Sequence, residues 1–421
     1  MASKNNDLDS LIGVLNDDPE LVTYSETDVA EVRTWIPTLI PQFDYHLVGG
    51  IPATGQVSEI FGKESSGKST FAATVMKNAL KMGFAIIYFD VEQTETASRI
   101  QQLGIDTSHI ITMKPKRLKD NTVKPLSVEV IGQKIIDILA KVQSSQPGRP
   151  VLFIWDSIAQ TQSEIQADTD AASPLVGQQA KALATVGRKI QTNLVANNGA
   201  LLAFNQARDD FNAPNPKYKQ LKTTGGKSWD HLLSTRISFQ PKTKIMANSK
   251  DSEAIGNHTR IRVPKSKVGD NFDSDFEVAL IGKWGYDFEY NMVLEAQNEG
   301  LISTRYPKYV AEDGVEIKGS NILDLVYKFK DPENIKYTTE LWQKILLNYF
   351  PQCYPPLFNT KGFMSVEDFP VIKGLRKYYI EIQNNLPEGE QTYNYKDFMR
   401  ALADGDVPDT IINELKEDGA Q

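Results

Sequence analysis

Short, almost continuous apolar segments recur through the first half of the chain, and each ends in polar residues. They read VSEIF at 57–61, AIIYFD at 85–90, VLFIWD at 151–156 and ALLAFNQ at 200–206. Apolar runs of about four to eight residues are typical of strands buried on both faces of a sheet. Helical stretches at 127–142 and 176–196 alternate with them. The pattern predicts βαβ units and hence an α/β fold with a doubly wound, mainly parallel sheet.

The pattern changes after residue 235. TRISFQ at 235–240 and RIRVPKSK at 260–267 are strand-like, but no long helical stretch separates them. Antiparallel additions to the sheet are therefore expected there. From 283 onward, helical stretches such as NILDLVYKF mix with proline-rich turns, and the last twenty residues are acidic. We expect a small α+β C-terminal region at 283–421 with an acidic tail.

The first 33 residues place apolar side chains at helical spacing, namely at Leu8, Leu11, Ile12 and Leu15. A helix of this length does not fold alone, so it must dock on another surface. The chain is accordingly divided into an N-terminal arm at 1–35, a core at 36–282 and the C-terminal region.

Composition narrows the protein class. The 421 residues contain no run of eighteen apolar residues, the N-terminus is polar, and Cys353 is the single cysteine. Neither a membrane span nor a disulfide framework is expected, which fits a cytoplasmic protein. The net charge of −8 argues against a uniformly basic surface. It does not exclude a local basic groove, and residues 217–227 and 260–267 are basic islands.

The segment GKESSGKST lies between a predicted strand and a predicted helix. Its spacing, G-x-x-x-x-G-K-[ST], is that of a phosphate-binding loop, in which backbone N–H groups and a helix N-terminus hold phosphate oxygens. Lys68 would neutralise the β- and γ-phosphates, and the Ser69 hydroxyl would coordinate Mg²⁺. The sequence thus predicts an ATP and Mg²⁺ site made by Gly62, Lys63, Glu64, Ser65, Ser66, Gly67, Lys68, Ser69 and Thr70.

Three carboxylates follow buried strands. Asp156 ends VLFIWD, as expected of a carboxylate that helps to hold Mg²⁺. Asp90 and Glu92 come at the end of AIIYFD, and strand alternation points both the same way. One of them can orient a water molecule for attack on the γ-phosphate. Glu92 is the favoured base; a solvated loop carboxylate is the alternative.

Two polar segments follow strands. AFNQAR is followed by nearly twenty polar residues before Gly225 and Gly226, and SEIQADTDAASPLVG follows the Asp156 strand. Long segments of this kind inside a compact domain are usually functional or disordered. The first of these segments carries aromatic rings and cations suited to single-stranded nucleic acid, namely Phe211, Tyr218, Lys217, Lys219 and Lys222. Composition alone leaves a plain linker as an equal alternative.

Taken together, these motifs resemble the RecA family of recombinases, including phage-type members. The resemblance runs over roughly 36–320, through GGIPATGQVSEIFGKESSGKST, YFDVEQT, FIWDSIA, FNQAR, TTGGKSW and TRIRVPKSKVGDNF in family order. It implies a RecA-like phosphate-loop NTPase core, an N-terminal oligomerisation arm and two DNA-binding loops. It also implies a DNA-dependent ATPase that forms filaments on single-stranded DNA and promotes homologous pairing with double-stranded DNA, in recombination and repair. Single-strand-binding and mediator proteins are further candidate partners.

The resemblance also assigns residues. Glu92 corresponds to the catalytic base and Gln206 to the γ-phosphate sensor, while Lys265 and Lys267 correspond to lysines that reach a neighbouring subunit's ATP. The first DNA loop would be 164–177 and the second 207–224. The DNA-contacting positions implied are Lys181, Arg188, Arg208, Lys217, Lys219, Lys222, Gly225 and Gly226.

The chain departs from the family pattern at several points. Arg99 stands where the family has a tyrosine that stacks on adenine, and a guanidinium plane can also stack on a base. The first loop is acidic, and the last 100 residues match poorly. Two other functions share the core: a hexameric DNA helicase motor, and a scaffold that binds ATP without hydrolysing it. The lysine pair of PKSK argues against the helicase, and intact Lys68, Glu92 and Asp156 argue against the scaffold.

Overall fold

A computed structural model describes most residues from 35 to 345. The gaps in this range are 39, 48–49, 54, 93–96, 114, 118, 120, 122, 168–176, 210–220, 248–253, 269–273, 283–284, 335, 339 and 342–343. The expected N-terminal arm, the centres of both expected DNA loops and the acidic tail lie outside the described residues, so those expectations stay predictions.

A nine-stranded sheet forms the centre of the described part of the chain. Its order is β13-β12-β11-β3-β9-β8-β4-β5, with β10 paired to the end of β9. The strands are β3 (Val57–Gly62), β4 (Ala85–Asp90), β5 (Ile110–Thr112), β8 (Val151–Asp156), β9 (Gly199–Asp209), β10 (Leu221–Thr223), β11 (Thr235–Met246), β12 (Ala254–Ser266) and β13 (Ser274–Ile281). The strands from β11 to β5 are parallel, whereas β12 and β13 are antiparallel. The predicted doubly wound α/β sheet is confirmed.

Helices pack on both faces of this sheet. They are α1 (Pro41–His46), α2 (Lys68–Lys81), α3 (Ala97–Gln102), α4 (Val128–Ser145), α5 (Glu164–Ala167), α6 (Gln178–Ala196), α7 (Gly226–Leu232), α8 (Phe288–Asn298) and α9 (Ile322–Lys330). Short antiparallel pairs join β1 (Trp35–Ile36) to β2 (Ile51–Pro52), β6 (Lys116–Arg117) to β7 (Val123–Lys124), and β14 (Lys308–Val310) to β15 (Glu316–Lys318). Among the described helices, none is both long and apolar enough to cross a membrane.

Alternation along the strands divides the core into two layers. On β3, Ile60 packs in the layer of α2 with Phe71 and Phe204. Val57 packs on the other face, in the layer of α4, α6 and α7 with Trp155. Each fully buried side chain of this size contributes about 1.5–3 kcal/mol by leaving water. Burial on both faces explains why the central strands are apolar almost throughout.

Two expectations need correction. Strand β11 was expected among the antiparallel additions, but it pairs in parallel with β3, Thr235 opposite Ser58. The antiparallel extension of this side of the sheet begins at β12 and continues with β13. The segment after Gln206 was expected to be a long loop without regular structure. Instead, β9 continues to Asp209 and β10 returns beside it, Thr223 opposite Ala207. Backbone pairing therefore extends the sheet into the base of the loop.

Candidate active site

Polar residues from four strands meet at one edge of the sheet. Gln206 lies opposite Gly62 on β9 and β3, and Asp90 lies opposite Asp156 on β4 and β8. Parallel strands share the edge at which their carboxyl ends emerge, and ligands of open α/β sheets bind there. The structure thus brings the phosphate loop, the predicted Mg²⁺ carboxylate and the predicted sensor to one edge.

The phosphate loop depends on its two glycines. An added Cβ at Gly62 would lie 2.3 Å from the carbonyl oxygen of Phe239, so no side chain fits there. Gly67 has a φ of 92°, which disfavours other residues, and it caps α2 without a side-chain hydrogen bond. The first N–H groups of α2 therefore remain for a ligand, as anion binding at a helix N-terminus requires. Lys63, Glu64 and Ser65 are exposed around the loop.

Lys68 lies inside the loop. Its Nζ donates to the carbonyl oxygens of Gly62 at 3.1 Å and Lys63 at 2.7 Å. Burial lowers the pKa of Lys68, and the carboxylates of Asp156 and Glu92 oppose that decrease. A partly desolvated ammonium group held by neutral carbonyls gains most from a strong anion, so the site fits a nucleotide phosphate.

Asp156 is buried beside this lysine. The Tyr88 hydroxyl donates to its Oδ2 at 3.2 Å. Burial, followed by the charge of Glu92, raises the pKa of Asp156 to about 7. A divalent cation here would favour the charged form, and the partly buried Ser69 supplies a second hard oxygen ligand from α2. The residues therefore fit Mg²⁺ bound together with a nucleotide. As a Lewis acid, the Mg²⁺ would stabilise charge on the phosphoryl group.

Glu92 has two partners that explain its position. Ser157 donates to Glu92 Oε1 at 2.5 Å, and Gln206 Nε2 donates to the same oxygen at 3.2 Å. The predicted base and the predicted sensor are thus in direct contact. Sequence reasoning missed Ser157, although a hydroxyl residue directly after the Asp156 strand was a usable signal. Asp90, two residues earlier at the end of β4, is partly exposed.

Tyr286 is a second site residue that sequence reasoning missed. It is buried in the layer of α2, and its hydroxyl donates to the carbonyl oxygen of Gly67 at 3.2 Å. A Cβ added at Gly67 would lie 2.5 Å from the same hydroxyl. Tyr286 therefore supports the phosphate loop from the core layer that contains α2. Arg99, the predicted base-stacking residue, donates through Nη2 to the carbonyl oxygen of Gly282 at 3.1 Å.

Lys265 and Lys267 lie away from this edge. Lys265 is opposite Arg236 on β11, which is opposite Glu59 on β3. Glu59 precedes Gly62 by three residues, roughly 10 Å along a strand. Lys265 Nζ donates to the carbonyl oxygen of Asp230, and Lys267 Nζ donates to that of His231 at 2.8 Å. Both lysines thus bind the end of α7 and not the phosphate loop of their own chain.

The candidate DNA-binding cations whose side chains the structure describes lie on two elements. Lys181 and Arg188 are exposed on α6, opposite its buried residues Leu183 and Ile190. Lys222 is exposed on β10, across from position 208, whose backbone belongs to β9. Lys217 and Lys219 lie outside the described residues.

Gly225 and Gly226 shape the turn from β10 into α7. Their φ angles are 124° and 73°. An added Cβ at Gly225 would lie 2.8 Å from Trp229. Backbone conformation and lack of space thus explain why glycines occupy these two positions. Contact between the glycine pair and DNA stays a prediction.

Comparisons with known proteins agree with this geometry. The family model of the RecA N-terminal domain matches residues 37–284, more than half of the chain. Protein RecA of Bifidobacterium breve is 30% identical over 270 residues, which cover 63% of this chain and 62% of the relative. Protein RecA of Streptomyces rimosus is 31% identical over 249 residues, 58% of this chain and 59% of the relative.

A more distant relative, protein RecA of Helicobacter acinonychis, is 27% identical over 252 residues, 59% of this chain and 67% of the relative. The matched region spans about six tenths of the length of the first two relatives. The similarity therefore concerns the core that carries the phosphate loop and the sheet edge.

Proposed function

The chain belongs to the RecA N-terminal domain family, and from this premise we propose that it is a DNA-dependent ATPase that forms filaments on single-stranded DNA and promotes homologous pairing and strand exchange. The contact between Gln206 and Glu92 beside the phosphate loop carries the proposal. It connects Glu92, which would activate water, with Gln206, which directly precedes the segment that would bind DNA.

The chemistry follows from the positions of the side chains. Lys68 and the N-terminus of α2 would hold the β- and γ-phosphates, while Ser69 and Asp156 would hold Mg²⁺; the position of Lys68 within the loop supports this. Glu92 accepts the proton of the attacking water, and Ser157 keeps its carboxylate in position. Positioning and electrostatic stabilisation provide most of the catalysis in phosphoryl transfer.

Gln206 supplies the link to DNA. Gln206 lies opposite Gly62 in the register of β9 and β3, so its side-chain amide could exchange the hydrogen bond to Glu92 for one to the γ-phosphate. Such an exchange would move the start of the 207–224 segment and change its affinity for DNA. The acidic net charge restricts DNA binding to local groups, for which Lys181, Arg188 and Lys222 are exposed.

The filament would complete the site. Lys265 and Lys267 are remote from the loop of their own chain, so they would act on the nucleotide of a neighbouring subunit, as an arginine finger supplied in trans does. Phage-type membership, the base preference set by Arg99, and mediator or single-strand-binding partners remain parts of the proposal that need their own tests.

The test is ATP turnover with and without single-stranded DNA, followed by electron microscopy and a strand-exchange assay. The proposal expects turnover stimulated by DNA, long filaments, exchange with homologous duplex, and loss of turnover in Lys68→Ala. Closed rings that unwind duplex DNA would indicate a helicase motor instead. Filaments without turnover would indicate a scaffold, and turnover retained by Lys68→Ala would contradict the assignment of the loop.

A further inference from the structure

A buried acidic residue lies on the phosphate-loop strand, three positions before the loop begins. Glu59 is fully buried in the middle of β3. Burying a carboxylate away from water is costly unless hydrogen bonds and a countercharge compensate for the lost hydration. Neither the predicted phosphate chemistry nor the predicted DNA contacts use this residue. Its partners therefore indicate what it does.

Three side chains donate to Glu59 from three different elements. Asn205 Nδ2 on β9 donates to Oε1 at 2.8 Å, and Trp229 Nε1 on α7 donates to the same oxygen at 3.0 Å. Arg236 Nε on β11 donates to Oε2 at 2.8 Å. Burial raises the pKa of Glu59, while Arg236 and the three donors oppose that rise. The carboxylate is thus a junction between β3, β9, β11 and α7.

The same donors also hold the returning end of the 207–224 segment. Asn205 Nδ2 donates to the carbonyl oxygen of Thr224 at 2.7 Å. Arg236 Nη2 donates to the hydroxyl of Thr223 at 2.8 Å. An amide nitrogen carries two hydrogens and a guanidinium carries five, so each group can bind Glu59 and the segment at once. Glu59 therefore fixes the orientation of both groups that hold Thr223 and Thr224.

The two ends of the segment are held differently. Asn205 and Gln206 are neighbours on β9, and strand alternation points their side chains to opposite faces. Gln206 contacts Glu92 at the nucleotide edge, whereas Asn205 contacts Glu59 inside the core. If Gln206 shifts at the nucleotide site while the returning end of the segment stays fixed, the two ends move relative to each other. The segment between them must then adjust its conformation.

Resting on the proposed function, we propose that Glu59 is a positioning residue that fixes the returning end of the DNA-binding segment to the phosphate-loop strand through Asn205 and Arg236. The fixed end makes DNA affinity respond to the nucleotide. Without it, a shift at Gln206 would be absorbed by movement of Thr223 and Thr224, and the bound nucleotide would no longer strengthen DNA binding.

The experiment measures this response directly. The affinity of the full chain for a labelled oligothymidylate is determined by fluorescence anisotropy, with and without Mg²⁺ and a non-hydrolysable ATP analogue. The ratio of the two affinities is the coupling between the sites. Binding of a fluorescent ATP analogue is measured separately, because general damage to β3 would weaken nucleotide binding as well.

Three variants interrupt the junction to different degrees. Thr223→Val removes one hydrogen bond to Arg236 and should lower the coupling ratio about fivefold. Asn205→Asp replaces a donor to Thr224 with an acceptor and should lower it about tenfold or more, as should Glu59→Gln. The matched control is Glu277→Gln, which removes a half-exposed ion pair with Lys242 on the same sheet and should leave the ratio unchanged.

The outcomes separate the inference from the function on which it rests. The positioning role is supported if the wild-type protein shows coupling and the junction variants show a lower coupling ratio with nucleotide affinity retained. A wild-type ratio retained in Thr223→Val and Asn205→Asp overturns it and leaves the proposed function in place. Equal loss of nucleotide affinity also overturns it, because Glu59 would then only stabilise β3. If Glu59→Gln does not fold, Thr223→Val decides. A wild-type protein without coupling overturns both proposals.

Discussion

One carboxylate oxygen, Oε1 of Glu92, accepts hydrogen bonds from both Ser157 and Gln206. A glutamine at position 92 would still offer an oxygen to both donors, because its amide has the same shape as the carboxylate. It would not accept a proton from water. The site therefore allows the contribution of the base to be separated from the contribution of the contacts around it.

Glu92→Gln should lower the turnover number about 10²-fold or more, since general base catalysis contributes 10²–10⁴-fold. Nucleotide binding and DNA binding should persist because Lys68 and Asp156 are untouched. Steady-state turnover and binding of a fluorescent ATP analogue check both parts. The comparison is Asp90→Asn, two residues earlier. A larger loss in that variant would make Asp90 the base.

Residue-scale electrostatics also set a pH dependence of folding. The His46 ring stacks on Phe276, with centroids 4.5 Å apart. Burial lowers the pKa of His46 from 6.5 to about 4. Between about pH 4 and pH 6.5, His46 is therefore mostly protonated in the unfolded chain and mostly neutral in the folded protein. The contribution of this group to stability is complete above pH 6.5 and is lost as the pH falls towards 4.

His46→Phe keeps the ring stack and removes this titration. Near pH 5, wild-type unfolding should take up close to one proton more than unfolding of the variant. The difference is read from the pH dependence of urea midpoints between pH 7 and 5. His109→Gln, which changes an exposed ring, is the control. Parallel pH profiles of wild type and His46→Phe would contradict the prediction.

At the scale of elements, a partly buried ion cluster links α9 to α8. Lys330 near the end of α9 lies 2.6 Å from both Asp287, which caps α8, and Glu289 in its first turn. Asp287 is only 5% exposed, so removing the lysine would leave a buried negative charge without its cation. Breaking a buried pair from one side is far costlier than losing an exposed one.

Lys330→Ala should accordingly destabilise the protein by about 3 kcal/mol. Lys328→Ala on the same helix is the matched control, because its carboxylate partner Asp324 is 3.7 Å away and both side chains are exposed; its Nζ also donates to the carbonyl oxygen of Lys318, another exposed residue. That variant should change stability by less than about 0.5 kcal/mol. Urea unfolding measures both values. Equal effects of the two variants would show that the cluster does not fasten α9.

Elements that depend on local pattern could be predicted from the sequence. The strands 85–90 and 151–156 have the predicted bounds, and a helix follows the phosphate loop as predicted, because burial on both faces and the phosphate-loop spacing are local signals. Glu59 could not be understood in that way. Its partners Trp229 and Arg236 are 170 and 177 residues further along the chain, and Tyr286 is 219 residues from Gly67. Such contacts exist only once the layers have packed.

At the scale of the whole molecule, the phosphate loop and the lysine pair lie at different levels of the same sheet. Lys265 is level with Glu59, and Lys267 follows Ser266, which is level with Ser58 still further from Gly62. Burial, followed by the charge of Lys267, lowers the pKa of Lys265, so an anion would favour its charged form. On the proposed function, one chain would therefore hold two halves of an ATP site that it does not itself join.

Head-to-tail assembly would join these halves, since each subunit of a filament offers one surface to the next. Lys265→Ala should bind ATP normally but lose DNA-stimulated turnover. Mixed in equal amounts with Glu92→Gln, it should recover about one quarter of the wild-type rate. One of four equally frequent neighbour pairs would combine an intact base with intact lysines. Turnover is measured across mixing ratios, with mixed filaments verified by microscopy.

The control replaces Lys265→Ala with Lys242→Ala, an exposed lysine of β11 whose partner is Glu277. Lys242→Ala alone should keep the wild-type rate, and in the mixture with Glu92→Gln its rate should reflect dilution of active sites only. Recovery that peaks near equal amounts in the Lys265→Ala mixture requires a site shared between subunits, because neither parent turns over alone. Absence of recovery at every ratio, in filaments that contain both variants, would mean that the lysines act within their own subunit or take no part in turnover.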